Sequence, residues 1–171
     1  AKLRCPDGMS KLKKKVPVTL ADGSKVEDWE VVCIDRFEFP GAGAVPRTGV
    51  DLAGARAACV AKNKRLCTRS EWRRACGGQY PYGKDYDPER CNTAGADGAP
   101  HALAGAGSKK GCMSPSGAFD MVGNAAEWTS DGTVNGGTSL KNGEDATCSA
   151  GSKRAGGAPH VGFRCCADAK E

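Results

Sequence analysis

Ten cysteines in 171 residues constrain this chain more than any other feature. None lies in a Cys-x-x-Cys pair, and only two histidines, His101 and His160, accompany them. Structural zinc takes closely spaced Cys/His ligands, so these cysteines do not read as a zinc framework. An even number, widely spread, reads as a set of disulfides. The compartment then reads as oxidising: periplasm, cell surface or secreted. The remaining composition suits a chain that needs cross-links. Hydrophobic residues make up 39% and aromatics 6%, with 24 glycines. That is lean for a core and generous for loops. The length suits one domain covering 1–171. No apolar run approaches the roughly 18 residues of a membrane span. An exported chain is expected to have lost its targeting segment, and Ala1 is compatible with a mature end.

The net charge of +5 is partly local, in Lys11, Lys13, Lys14 and Lys15. A nucleic-acid surface wants aromatics interleaved with such a run, and none are present there. A solvated loop is expected. Beyond it, Asp22-Gly23 sits between Val16–Leu20 and Lys25–Glu27 as a hairpin turn. Trp29–Phe37 has the β-branched and aromatic content of a strand. A helix is expected over about 51–62, capped by Asp51, with Leu52, Ala55 and Cys59 on one face. Thr68-Arg-Ser-Glu71 is a capping box that opens a second helix. Its apolar face is Trp72, Ala75 and Cys76, and Gly77-Gly78 ends it. Residues 79–116 read as loop, and a closing strand covers Val161–Cys166.

Gly117–Asp131 is too polar for an ordinary core strand and too apolar for a surface loop. Asp120 and Glu127 bracket a Gly-Asn turn ahead of Trp128. Hard cations take oxygens from carboxylates and backbone carbonyls, and a tight turn can aim both at one point. A turn between buried segments, with both acids solvated, accounts for the same spacing.

Four phrases occur together here: Cys59-Val-Ala-Lys-Asn-Lys-Arg-Leu66 running into Thr68-Arg-Ser-Glu-Trp72, Asp120-Met-Val-Gly-Asn-Ala-Ala-Glu-Trp128, Gly136-Gly137, and Gly162-Phe-Arg-Cys165. In this order they resemble the formylglycine-generating enzyme, or sulfatase-modifying factor, family over about residues 30–168, with 1–29 as an N-terminal extension. The resemblance implies an α+β, C-type-lectin-like fold with two short helices, a small antiparallel sheet and many disulfide-pinned loops. It also implies a structural calcium ion at Asp120, the Gly123 carbonyl, the Ala125 carbonyl and Glu127; the alternative is a metal-free turn held by hydrogen bonds. The family's second calcium site would begin at Asn92-Thr93, but its downstream acid should lie further along than Asp97. The resemblance further implies the disulfides Cys59–Cys165 and Cys76–Cys148. Six cysteines then remain, and their connectivity stays open. Adjacent residues of a strand face opposite ways, so Cys166 needs a partner on the other side from Cys165. Cys67 is chosen for it, with Cys91–Cys112 closing the long loop and Cys5–Cys33 clipping the N-terminus.

The family oxidises a substrate cysteine to formylglycine with two copper-binding cysteines placed shortly after the Gly-Gly pair, and soft thiolates suit Cu(I). Here Lys141 stands at the first of those positions, and Cys148 is assigned to a structural bond. A related branch of the family uses a cluster of histidines on iron, and His101 and His160 in Gly/Ala/Pro-rich loops are not one. The expected reading is a pseudoenzyme: an extracytoplasmic recognition, sensor or structural module. It would present loops near 79–116 and 129–160, with Tyr80, Tyr82, Tyr86 and Trp128 as contact residues. Its partner would be a protein or carbohydrate ligand, or further copies of the chain. The alternatives are a divergent formylglycine-generating oxidase and a subunit of a surface assembly or filament.

Overall fold

A computed structural model describes residues 2–171 of the chain. Two four-stranded sheets carry the fold. The first is fully antiparallel and has the order β1 (Met9–Thr19), β2 (Lys25–Asp35), β8 (Cys165–Asp168), β3 (Arg65–Leu66). The second has the order β6 (Gly151–Lys153), β5 (Thr133–Asn135), β4 (Ala126–Trp128), β7 (Val161–Gly162). Its β4–β7 pair is parallel. Helices α1 (Leu52–Val60) and α2 (Arg69–Cys76) complete the elements. The fold is α+β and disulfide-rich, with a second sheet beyond the single one expected.

Both helices start where their caps place them. Asp51 accepts from the Gly54 N–H at 2.8 Å. Thr68 and Glu71 form a reciprocal capping box, each accepting from the other's backbone N–H, which satisfies two otherwise orphaned donors. Gly77, at φ 104°, ends α2 in a conformation that disfavours side chains.

Two elements depart from the sequence reading. The lysine run is not a loop but the middle of β1. Lys14 lies opposite Glu30, and Lys15 bonds Glu27 at 2.8 Å. Opposite charges across a ribbon let a basic run take extended structure. Residues 9–19 and 25–35 are strands of the first sheet. The closing strand also breaks. Val161–Gly162 pairs with β4, and Cys165–Asp168 pairs with β2 and β3. Between them, Phe163 and Arg164 cross from one sheet to the other, both fully buried.

Five disulfides pin this frame: Cys5–Cys33, Cys59–Cys165, Cys67–Cys166, Cys76–Cys148 and Cys91–Cys112. Among the described residues no cysteine is free. Among the described residues three apolar clusters sit between the elements: one around Trp72, Met121 and Val122, one around Trp128, Phe163 and Leu66, and a small one of Met9, Cys33 and Ala167. Trp128 is thus a core residue, not a contact residue; its indole N–H donates to the Val50 carbonyl at 3.0 Å.

Two measurements check this arrangement. Thiol titration of the denatured, unreduced protein is expected to find no reactive thiol. Replacing Cys76 and Cys148 together with serine is expected to cost roughly 2–5 kcal/mol in denaturant unfolding, because that bridge closes a long loop of the unfolded chain.

Candidate functional site

The turn that joins the loops to β4 is held in a left-handed path. Asp120, Gly123 and Asn124 have φ of 57°, 73° and 53°. At Gly123 only glycine fits, since a Cβ there would stand 2.5 Å from the Asn92 carbonyl oxygen. This path turns the Asn124 side chain inward, where its hydrogen-bonding capacity is fully used. Its Oδ1 accepts from Asn92 Nδ2 at 3.0 Å and from the Ala104 N–H at 2.9 Å. Its Nδ2 donates to Glu38 Oε2 at 2.7 Å and to the Ala104 carbonyl at 3.1 Å. Glu38 also accepts from the Ala125 N–H at 3.1 Å.

In β4 itself, Glu127 is fully buried. It accepts from Trp72 Nε1 at 2.8 Å and from Arg164 Nε and NH2 at 2.8 and 2.7 Å. Arg164 spends its other donors on the carbonyls of Asp35, Arg36 and Phe119. All five of its N–H groups are matched, as a buried guanidinium requires. Asp120 accepts from the Gly107 N–H at 2.7 Å.

This centre holds three buried carboxylates, Glu38, Asp120 and Glu127, around one buried guanidinium. Burial, then the negative charges of Glu127 and Asp120, push the Glu38 carboxyl well above the usual range, against the opposing pull of Arg164 and Asn124. Burial also raises Asp120, although the Gly107 hydrogen bond and Arg164 work against it. For Arg164 burial alone would favour the neutral form; the Glu127 charge and hydrogen bonds outweigh it and hold the guanidinium protonated.

The expected calcium residues therefore sit on one turn but do different work. In charge the centre fits a divalent cation, since the acids outnumber the cation. As ligands the four are unequal. Glu127 already accepts three hydrogen bonds, which leaves one direction on Oε1, whereas Asp120 accepts from the Gly107 N–H on Oδ2 and faces Glu38. At the second expected site, Asn92 has committed its amide N–H groups to Ala102 and Asn124, and Asp97 caps its own turn at the Ala99 N–H.

Other anticipated residues fall apart in space and role. Tyr80 is buried, donates to the Glu144 carbonyl at 2.9 Å and stacks on Tyr82 with ring centres 5.3 Å apart. Tyr82 and Tyr86 are half-buried and border a cleft with Gly83, Pro88 and Arg90. Lys141 is exposed on a shallow 210 Å³ depression beside Val134, Gly137 and Ser152. The nearest cysteine in sequence, Cys148, is bonded to Cys76. Neither His101 nor His160 joins a metal-like cluster among the described residues. The one such grouping there, Cys67, Glu71 and Cys166, contains an oxidised pair and a carboxylate committed to Thr68 and Arg65, so it is not a ligand set.

Sequence reasoning missed Glu38, Trp72, Asn124 and Arg164 as members of this centre. A signal was present for two of them. Glu38 stands between Phe37 and Phe39, and Arg164 between Phe163 and Cys165, each a charge flanked on both sides by apolar residues. Charges in such positions are seldom fully buried unless paired.

Removing one partner of this network is expected to cost far more than a surface pair. Arg164→Ala leaves buried carboxylates without a cation and should lose roughly 3–5 kcal/mol in urea unfolding. Glu38 gives a pH signature in chelator-treated protein. Its folded value is raised, so its contribution is fully present below its unfolded value and is lost as pH rises through the folded one. Thermal melts across that window should fall with rising pH for the wild type and flatten for Glu38→Gln.

A family model described as the sulfatase-modifying factor enzyme 1-like domain matches residues 17–169, beginning earlier than the stretch that carries the resemblance. Treponema denticola variable protein 1 shares the fold with a TM-score of 0.68 and 15% identity, over 98% of each chain. The crystal structure of CarF does so with a TM-score of 0.61 and 17% identity, over 95% of this chain and 98% of that one. The serine/threonine-protein kinase pkn1 of Chlamydia caviae is 35% identical over 97 residues, which are 54% of this chain and 15% of the kinase. With the family model spanning nearly all of both sheets, the chain belongs to the formylglycine-generating enzyme, or sulfatase-modifying factor, family.

Proposed function

We propose that this chain is a non-catalytic, extracytoplasmic recognition module of its family. One observation carries the reading: all ten cysteines are consumed in five disulfides, so none is left to hold copper or attack a substrate thiol. Lys141, at the place of the first catalytic cysteine, binds Cu(I) poorly. The loops of 79–116 and 129–160 form the recognition surface, with Tyr82 and Tyr86 as its aromatic contacts for a protein or carbohydrate ligand. Loops on a rigid scaffold are where binding residues concentrate. The similarity to part of a kinase supports a module that works beside other domains, and the fold is shared with a protein named as variable. Calcium, held by Asp120 with the Gly123 and Ala125 carbonyls and by Glu127, serves to fix those loops.

An assay of formylglycine formation on a cysteine-containing sulfatase peptide, with copper supplied, should show no turnover; turnover would sink the reading in favour of a divergent oxidase. Calcium should raise the melting temperature of the wild type and leave Asp120→Ala unmoved. An unchanged wild-type melt after chelation would dismiss the ion.

A further inference from the structure

Three pieces of the chain that are distant in sequence meet around one cavity of 360 Å³. Asp7 and Gly8 come from the N-terminal turn, Phe37, Phe39 and Pro40 from the segment after β2, and Lys62 and Lys64 from the turn after α1. Each piece is fixed. Cys5–Cys33 ties the first to β2, and the Gly8 carbonyl accepts from the Arg36 N–H at 3.1 Å. Phe37 stacks on Phe119 with ring centres 5.1 Å apart, and Phe39 on Phe163 at 4.7 Å. The lysine turn is closed by the N–H groups of Lys62 and Lys64, both on the Cys59 carbonyl at 3.0 Å, and Cys59 is bonded to Cys165. Small-molecule sites are usually preformed, mostly apolar and fitted with a few placed polar groups. This cavity is at the small end of their size range, which suits one compact molecule rather than a chain.

Its polar lining divides into used and unused groups. Asp35 is used on both oxygens: Oδ1 meets Lys64 Nζ at 2.5 Å, and Oδ2 accepts from the Cys165 N–H at 3.1 Å. That pair supports the cavity and leaves Lys64 with spare N–H donors. Lys62 and Asp7 are different. Both are exposed, and neither has an ion-pair partner among the described residues.

An unpaired cation and an unpaired anion beside one small apolar cavity select its occupant by charge. A neutral apolar molecule would use neither. A plain carboxylate would meet Lys62 but also Asp7, and a plain amine the reverse. A zwitterion answers both, because each charge finds its opposite. Its body must be apolar to cover Phe37, Phe39 and Pro40, since burying a polar group there without a partner is costly. We propose that this cavity binds a small zwitterion with an apolar body, of the class of a free apolar amino acid. The carboxylate lies at Lys62, the ammonium at Asp7 and the side chain against the two phenylalanines and Pro40. The cavity uses none of the loops assigned to recognition and stands or falls apart from that reading.

Two-dimensional NMR of the isotope-labelled, disulfide-intact chain tests this, with L-phenylalanine as the probe. Saturable shifts are expected at the amides of Gly8, Phe37, Phe39, Gly41 and Lys64, with a dissociation constant of about 1 mM or tighter for a ligand of that size. N-acetylphenylalanine lacks the ammonium and phenylalaninamide the carboxylate; each should bind about fivefold more weakly, the worth of one exposed charge contact. L-serine keeps both charges without the apolar body and should bind about tenfold more weakly or worse. Lys62→Ala should weaken phenylalanine and leave phenylalaninamide unchanged, whereas Asp7→Ala should weaken phenylalanine and leave N-acetylphenylalanine unchanged. The spectra themselves show that each variant is folded. No saturable shift at about 20 mM phenylalanine overturns the proposal. So do shifts centred away from the cavity, analogues that bind as tightly as phenylalanine, or substitutions that act alike on every ligand.

Discussion

The bond between Glu127 and Arg164 holds the two halves of the molecule together. Glu127 belongs to the second sheet. Arg164 belongs to the two-residue crossing that carries the chain from the second sheet to the first. Its remaining donors reach carbonyls at the end of β2 and in the loop before the Gly-Asn turn. One guanidinium therefore ties a strand of each sheet to the loop between them. Such a pair is stabilising only because every donor is met; a half-satisfied version would be worse than an apolar core. Trp72 binds the same carboxylate, so α2 is registered to this point as well.

Around that point the fold relies on covalent bonds where apolar mass is short. Six cysteines, Cys67, Cys76, Cys91, Cys112, Cys148 and Cys166, belong to the cluster around Trp72, and two, Cys59 and Cys165, to the cluster around Phe163. Disulfides do here what leucines and isoleucines do in richer cores, while also limiting the unfolded chain. With every described cysteine bonded, the chain holds its loops covalently and keeps no free thiol.

How much of this was legible in the sequence depends on the range of the interaction. Asp51, Thr68 and Glu71 act within one turn of their own helix, and their roles were readable from spacing. The lysine run was misjudged because its neutralising partners, Glu27 and Glu30, lie across a turn that local polarity does not reveal. The closing strand was read as one piece, since nothing in Val161–Cys166 marks the change of sheet except Arg164. Trp128 reads as a contact residue from its sequence alone, because Val50, which accepts from its indole, is far off in the chain. The acids of the Gly-Asn turn were found as a pair. Their environment was not, because Glu38 reaches them through folding and only its isolation between two phenylalanines hinted at it.

The change of sheet after Gly162 bears on the order in which the protein can be completed. A chain emerges N-terminus first, and domains generally fold as units. Strand β8 lies between β2 and β3, so without it these two have no common neighbour. The residues before it supply β7 and Arg164, and β8 itself supplies the partners of Cys59 and Cys67. The first sheet, the second sheet and two of the cross-links thus all wait for the last segment of the domain. Early disulfides could form only within the hairpin region, α2 and the loops; the joining of the two sheets is left to a single late event.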